Sequence, residues 1–254
     1  MRSAKLAGLL LLTLGCLLFP ALSGLAQDAN APDKIPTLIV TGHDVLPAHP
    51  WPDTTPLLRQ QLESSGKFDV RVCEDTSILE SSSLDVYKVI VLNFGHWSAP
   101  ELSERAKENL LAYVRNGGGL MPLHFACSSY QGWDEYAKLL GRVWVKDLAG
   151  HGPRSKFTVK IVDQDHPITA GMKDFVADDE LYAKLSGDAE IHVLATADSD
   201  WSNKTEPLLF VLKYGQGNVV HNLLGHDVKG RDYPEYAQLM VRGAEFAATG
   251  KVTD

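Results

Sequence analysis

Four apolar, strand-like segments of the sequence each end on a histidine. The segments are IPTLIVTGH, YKVIVLNFGH, GGGLMPLH and NVVHNLLGH, and the histidines that close them are His43, His96, His124 and His226. Imidazole exchanges protons near neutral pH, and its neutral form is a common metal ligand. Ligands of an open parallel sheet bind outside the carboxyl ends of its strands. If these segments lie in one such sheet, the four histidines are expected around one pocket.

Three residues in or near these segments have more than one interpretation. His124 reads either as a hydrogen-bonded core histidine or as a group presented on a sharp strand exit. Glu180, in VADDELYAKL, reads either as part of a solvated acidic turn or as an acid, base or ligand folded over the sheet edge. Asp227 is the neighbour of His226 and could fix its tautomer, although adjacent residues on a strand point in opposite directions.

Two kinds of chemistry fit these residues better than a cysteine nucleophile does. Cys127 lies three residues past the strand exit, too late for the turn that exposes a nucleophile. His124, Glu180 and His226 could instead transfer protons. Together with His43 they could also bind a divalent metal such as zinc, since zinc ligands come from distant segments. No local motif such as His-Glu-x-x-His supports the metal.

Loops near the strand ends supply residues that could contact a substrate. HDVLPAHPWP contains histidines and a tryptophan, whose face suits stacking against a sugar ring. HGPR is a second such loop, whereas DQDHPITAGM reads as a structural turn. The predicted substrate contacts are His43, Trp51, His96, His151 and Asp227.

The elements that position these residues alternate between strand and helix. A helix is expected after HPWPD, capped by Thr54 or Thr55 with Pro56 in its first turn, and a second one from about Pro100 to Arg115. Strands that alternate with helices indicate an α/β fold, a mainly parallel sheet with helices on both faces. After Lys156 the sequence becomes rich in strands, including a hairpin at KYGQGNVV, and ends in a helix.

The amino-terminal sequence predicts three segments: a signal peptide (1–26), a linker (27–35) and one domain (36–250). Arg2 and Lys5 precede an apolar stretch, and small residues lead to a cleavage site after Ala26. The alternatives are a lipoprotein signal ending at Cys16, although the apolar run continues past it, and a retained anchor, for which the run is short. We therefore expect an exported protein, periplasmic or extracellular.

Charge and cysteine content restrict the partners. Signal cleavage removes two cations and no acid, so the net charge changes from −8 to −10. An acidic surface disfavours nucleic acids and anionic membranes. Cys73 and Cys127 lie in apolar surroundings typical of buried free thiols, although export would permit a disulfide between them.

Several segments, in this order, resemble the ThuA-like family, named for trehalose utilisation. They are IVTGH, YVRNGGGLMPLHFA, DQDHPITAGM, DDELY and KYGQGNVVHNLLGHD, which together span essentially the whole predicted domain. The resemblance implies a class I glutamine amidotransferase-like fold, a flavodoxin-like sheet with additional carboxy-terminal strands. His124 stands where amidotransferases carry the nucleophilic cysteine, and His226 where they carry the histidine. Glutamine hydrolysis is therefore not expected.

The same resemblance implies work on carbohydrates, particularly disaccharides and their keto forms. We expect a hydrolase or lyase that uses His124, Glu180 and His226 in catalysis, with or without a divalent metal. The alternative is a non-catalytic carbohydrate-binding or complex-forming protein on a scaffold that lost its cysteine. The expected partner is a small-molecule carbohydrate. We expect no binding to nucleic acid and, after signal cleavage, none to a membrane. A homo-oligomer remains an open alternative.

Overall fold

The computed structural model describes residues 33–42, 46–97 and 101–253, and its elements alternate as the sequence predicts. The strands are β1 (Ile35–Gly42), β2 (Phe68–Cys73), β3 (Val89–Phe94), β4 (Gly119–Pro122), β5 (Gly150–His151), β6 (Ser155–Ile161), β7 (Phe175–Asp179), β8 (Tyr182–Ala183), β9 (His192–Ser199), β10 (Lys204–Tyr214) and β11 (Gly217–Asn222). The helices are α1 (Trp51–Ser64), α2 (Glu104–Arg115), α3 (Asp134–Leu140) and α4 (Pro234–Thr249).

One nine-stranded sheet organises these elements, in the order β2-β1-β3-β4-β11-β10-β9-β6-β7. The strands from β2 to β11 pair in parallel, and the pairs from β11 outward to β7 are antiparallel. β5 and β8 form a separate antiparallel pair. The predicted α/β, flavodoxin-like class with additional carboxy-terminal strands is confirmed, and β10 and β11 form the predicted hairpin.

The core lies on both faces of the parallel half. Every residue of β3 is buried, as its unbroken apolar sequence predicts. On one face, α4 approaches so closely at Gly243 that a β-carbon there would meet Met121 and Val220. His221 follows Val220 along β11 and faces the other side, where its Nδ1 donates to the carbonyl oxygen of Leu140 in α3 at 2.9 Å.

The expected N-cap of α1, Thr54 or Thr55, was four or five residues too late, since Pro50 occupies that position. The helix begins at Trp51, and neither Thr54 nor Thr55 caps it. Both threonines are buried against the sheet. The Thr55 hydroxyl accepts a hydrogen bond from the Asn93 side chain at 3.0 Å and lies 3.0 Å from the Thr41 hydroxyl. These tertiary contacts replace the local cap that the sequence suggested.

The expected start of α2 also differs. The helix begins at Glu104, where the hydroxyl of Ser103 accepts a hydrogen bond from the amide of Ala106 at 3.2 Å. Ser103 is therefore the N-cap, a role for which serine is among the preferred residues. The predicted end at Arg115 is confirmed.

Some predictions concern residues whose placement is not described. The signal peptide, Cys16 and His43 lie outside the described residues, and export stays a prediction. Among the helices of the described part of the chain, none is long and apolar enough to cross a membrane. Cys73 and Cys127 are both free thiols in the structure.

The buried His221 should make stability depend on pH. Burial lowers its pKa from 6.5 to about 4, although its hydrogen bond to Leu140 opposes this. The folded state therefore binds fewer protons than the unfolded state below pH 6.5, and stability falls as pH drops from about 6.5 to about 4. From pH 7.5 to pH 5, the free energy of unfolding of the wild type should fall by on the order of 2 kcal/mol more than that of His221→Asn. Urea unfolding of both proteins at the two pH values would measure this. If the two proteins differed in free energy of unfolding by the same amount at both pH values, the buried imidazole would not be neutral in the folded state.

Candidate functional site

His124 stands at the sharp exit of β4. After Leu123 the chain turns into a short 3₁₀ helix, His124–Ser128. The φ of His124 is +41°, in the left-handed region that a β-carbon disfavours. Its side chain is buried, with only 1% of the residue exposed. The sequence predicted this kind of strand exit, and the turn carries the imidazole to the edge of the sheet.

Four side chains from distant segments meet at this edge. They are His49, His124, Glu180 and His226, and one ligand atom from each lies within 4.8 Å of the others. His124 follows β4, Glu180 follows β7, His226 follows β11, and His49 precedes α1. We call them the His/Glu cluster. Three of its members are those predicted from the sequence.

Hydrogen bonds orient two of the imidazoles toward the centre of the cluster. His124 Nδ1 lies 2.7 Å from the carbonyl oxygen of Leu223, which only accepts, so Nδ1 carries the proton and Nε2 is left with its lone pair. His49 Nε2 lies 3.0 Å from the hydroxyl of Tyr182. The ring of His49 also stacks on Phe125, with centroids 3.9 Å apart.

The inner nitrogens of the three histidines are buried without a hydrogen-bond partner among the described residues. They are His49 Nδ1, His124 Nε2 and His226 Nδ1. His226 Nδ1 lies 3.0 Å from Glu180 Oε2, within ion-pair distance but without the alignment of a hydrogen bond. His124 Nε2 lies 3.9 Å from the same oxygen. Buried polar atoms are rarely left unsatisfied, so each calls for an explanation.

Burial and neighbouring charges set the protonation states in the cluster. Burial lowers the pKa of His49 to about 2, and repulsion from His124 and His226 adds to this, so its imidazole is neutral. Burial opposes ionisation of Glu180, but interactions with the imidazoles of His124 and His226 outweigh it and hold its pKa well below the usual range. The cluster therefore combines a neutral imidazole with an ionised carboxylate at neutral pH.

Asp179 ties the segment of Glu180 to that of His226. Its buried carboxylate accepts hydrogen bonds from the backbone amides of Glu180 at 2.9 Å, Gly225 at 2.5 Å and His226 at 3.0 Å. Gly225 adopts a φ of +104°, and a β-carbon there would meet the Tyr236 hydroxyl at 2.6 Å. The turn before His226 therefore needs both the carboxylate and the glycine.

A small inner cavity of about 20 Å³ lies behind the cluster. Trp51 and Arg231 line it together with His49, His124 and His226. Trp51 Nε1 and Arg231 Nη1 are buried there without a hydrogen-bond partner among the described residues. The volume is enough for about one water molecule. Trp51, predicted as a sugar contact, thus lines a cavity too small for a sugar.

An open groove of about 340 Å³ lies on the outer side of the cluster. Its lining consists of Leu46, Ala48, His49, Trp97, Phe125, Trp144, His151 and Tyr182. The imidazole of His151 connects the groove to the cluster, since its Nε2 lies 3.7 Å from Glu180 Oε2. Its Nδ1 donates to the carbonyl oxygen of Gly152 at 2.6 Å.

Two other predicted substrate contacts lie apart from the cluster. His96 is buried, its amide donates to the Ser129 hydroxyl at 2.9 Å, and its ring packs against Phe94 and Tyr130. Asp227 forms an ion pair with Arg154 and accepts from the amide of Gly230 at 2.8 Å. Although burial opposes it, these contacts lower the pKa of Asp227. The carboxylate beside the His226 ring is that of Glu180, since Asp227 pairs with Arg154.

Cys127 is poorly suited to nucleophilic chemistry. It is fully buried, and burial raises the pKa of its thiol to about 12 despite backbone hydrogen bonds that lower it. A cysteine nucleophile acts as the thiolate, which this environment disfavours. The geometry agrees with the sequence argument against a cysteine hydrolase.

His49 is the member of the His/Glu cluster that the sequence reasoning did not assign, and its hydrogen-bond partner Tyr182 was not assigned either. His49 belongs to the loop HDVLPAHPWP, which was expected to line a pocket. Its position before α1 and the proline after it are the local signals that could have identified it. Nothing local marks Tyr182, which lies in β8, 133 residues beyond His49, and meets it only in the folded chain.

The comparison with known proteins covers nearly the whole described chain. The model of the family described as ThuA, trehalose utilisation, matches residues 37–247. No curated protein is significantly similar to the chain.

Solved structures share the fold. A ThuA-like protein from Parabacteroides merdae is 28% identical, with a TM-score of 0.75 over 87% of this chain and 92% of that chain. One from Bacteroides uniformis is 19% identical, with a TM-score of 0.69 over 89% and 96%. The cytoplasmic protein STM3548 of Salmonella typhimurium is 18% identical, with a TM-score of 0.58 over 83% and 98%. The last two likenesses show the fold alone.

Proposed function

The chain belongs to the ThuA family of trehalose utilisation, and from this premise we propose that it is a carbohydrate enzyme whose His/Glu cluster binds one divalent metal ion. The observation that carries the proposal is the convergence of three buried imidazole nitrogens, each without a hydrogen-bond partner among the described residues, beside one carboxylate. Nitrogen and carboxylate oxygen from separate segments form the usual catalytic zinc sites.

The orientation of the ligands supports a metal. The carbonyl of Leu223 fixes the tautomer of His124 so that Nε2 can bind an ion, as outer hydrogen bonds do for metal-binding histidines. The Tyr182 hydroxyl, 3.0 Å from His49 Nε2, holds the orientation of that ring, with Nδ1 toward the cluster. His49, His124, Glu180 and His226 would hold the ion, and its binding would draw together ligand atoms that now lie within 4.8 Å of one another.

The protonation states also favour metal binding over proton transfer by the cluster itself. A metal site needs neutral imidazoles and an ionised carboxylate. His49 and Glu180 are in those states at neutral pH. A general base works best with a pKa near the working pH, and the lowered pKa of Glu180 makes it a weak one.

We assign the reaction to a sugar hydroxyl or keto group that reaches the cluster from the open groove. A bound divalent ion would polarise that oxygen and stabilise negative charge on it. His151 lies between groove and cluster, so its Nε2 is placed to exchange a proton with the substrate. Direct acid-base catalysis by His124 and Glu180 without a metal is the second version of this enzyme.

Metal analysis and activity together test the proposal. We expect one divalent ion per purified chain by elemental analysis. Treatment with a chelator should abolish turnover of a disaccharide or its keto derivative, and Zn²⁺ or Mn²⁺ should restore it. Full activity of metal-free protein would contradict the metal centre. Sugar binding without turnover, with or without metal, would favour the non-catalytic binding protein.

Cys127→Ala is the control for the thiol alternative. Because the Cys127 thiol is buried outside the His/Glu cluster, this variant should keep the metal content and turnover of the wild type. Loss of turnover in a folded Cys127→Ala protein with its metal in place would return the chemistry to the cysteine.

A further inference from the structure

We propose that the open groove binds the ring of an uncharged sugar, with Trp97 and Trp144 against its apolar faces. The inference rests on the proposed carbohydrate function and adds to it the binding surface and the charge class of the substrate. It follows from the composition of the groove, its connection to the cluster and its size.

The groove offers aromatic faces to a ligand. Trp97 is 39% exposed, and its ring centroid lies 6.2 Å from that of Phe125. Trp144, a second tryptophan of the lining, stands edge-on to Tyr182, with ring centroids 4.9 Å apart. Rigid aromatic rings bury a large apolar area and lose little conformational entropy on binding. The C–H faces of a pyranose ring suit such walls, whereas its hydroxyls need the polar groups at the end of the groove.

Three polar residues, His49, His151 and Tyr182, line the groove. His49 and Tyr182 bond to each other, so the imidazole of His151 is the polar group that a ligand would meet beside the His/Glu cluster. The hydrogen bond from His151 Nδ1 to the Gly152 carbonyl leaves Nε2 directed toward Glu180, 3.7 Å from Oε2. A ring lying in the groove would therefore bring one of its oxygens to the His151 end. The few polar groups are concentrated where the reaction is proposed, as in most small-molecule sites.

The lining predicts an unphosphorylated sugar. It contains no lysine, arginine, aspartate or glutamate among the described residues that form it. A phosphate in the groove would lose water without gaining the Arg or Lys partner that such anions normally bind. In the chelated protein, the carboxylate of Glu180, 3.7 Å from His151 Nε2, would add repulsion.

The volume agrees with a short ligand. About 340 Å³ lies at the lower end of the range of about 300–1,000 Å³ typical of small-molecule sites. One or two sugar rings fit such a space better than a buried oligosaccharide.

Calorimetric titration tests the inference. Wild type, Trp97→Ala and Trp144→Ala would be titrated with trehalose, maltose and trehalose 6-phosphate, each with Zn²⁺ and after chelation. We expect wild type to bind a neutral disaccharide at least about tenfold more tightly than the phosphate, and each substitution to weaken that binding at least about tenfold. Trp133→Ala is the matched control, because Trp133 stacks on Tyr136 and is not part of the groove lining.

Several results would overturn the inference. Unchanged affinity in Trp97→Ala would do so, and this variant should fold because Trp97 is already 39% exposed. Equal affinity for trehalose 6-phosphate would also contradict it, as would a wild type that holds its metal but binds no sugar. Conversely, tryptophan-dependent sugar binding by a chain that takes up no metal would support the groove and contradict the metal centre, so the two proposals fail separately.

Discussion

Replacing Glu180 by glutamine is expected to lower the affinity for Zn²⁺ by about 100-fold or more while the fold stays intact. Glu180 supplies the one negative charge of the His/Glu cluster, and its Oε2 lies 3.0 Å from His226 Nδ1. Glutamine has nearly the same shape but no charge. Loss of an outer hydrogen-bond partner alone typically costs a metal site 10–100-fold in affinity, so loss of a ligand should cost at least as much.

Competition with a chelator of known affinity would measure this effect. Glu190→Gln is the matched control, because Glu190 is exposed and lies outside the cluster. Circular dichroism and thermal unfolding would establish that both variants fold. Equal Zn²⁺ affinity in Glu180→Gln and wild type would contradict the assignment of Glu180 as a ligand.

Replacing Asp179 by asparagine is expected to lower the free energy of unfolding by about 3 kcal/mol and to weaken metal binding as well. The buried carboxylate accepts hydrogen bonds from the amides of Glu180, Gly225 and His226. Oδ1 accepts from Glu180 and His226 and Oδ2 from Gly225, so asparagine keeps the first acceptor and turns an NH₂ group toward the amide of Gly225. Each buried amide left without an acceptor costs about 1–3 kcal/mol. Because Gly225 directly precedes His226 in the chain, loss of its bond should shift His226 and separate the ligand atoms.

Urea unfolding and chelator competition on the same preparation would test both effects. Asp198→Asn is the control, since Asp198 pairs with Lys160 at an exposed position where such pairs contribute at most about 1 kcal/mol. Wild-type stability in Asp179→Asn would show that the backbone of this turn holds without the carboxylate. Reduced stability with wild-type Zn²⁺ affinity would show that Asp179 supports the fold but does not position the ligands.

The parallel half of the sheet was predictable because its signals are local. The unbroken apolar run of β3 and the glycine-rich entry to β4 indicate buried strands without any knowledge of the partners. The caps were less predictable. Thr54 and Thr55 have the chemistry of N-caps, but their side chains contact Asn93 of β3 and, for Thr55, Thr41 of β1.

The site was predictable in part, because the ends of strands are also marked by local sequence signals. The sequence identifies strand ends, which is where His124 and His226 lie, but not the direction in which a side chain turns after the strand. His96 follows β3 in the same way as His124 follows β4, yet its ring packs against Phe94 and Tyr130. Of the adjacent acids Asp179 and Glu180, only the folded structure shows which binds the backbone and which faces the imidazoles.

His124 combines a left-handed backbone with an imidazole nitrogen that could bind an ion, and such binding would link stability to ion concentration. A non-glycine residue held in that region costs on the order of 1–3 kcal/mol, a strain that the free protein carries throughout. An ion that binds Nε2 in the folded state alone would offset this strain, and its contribution would grow by about 1.4 kcal/mol for each tenfold rise in free ion above the dissociation constant. The melting temperature of the protein thereby becomes a reporter of occupancy, by which divalent ions can be ranked before any substrate is known.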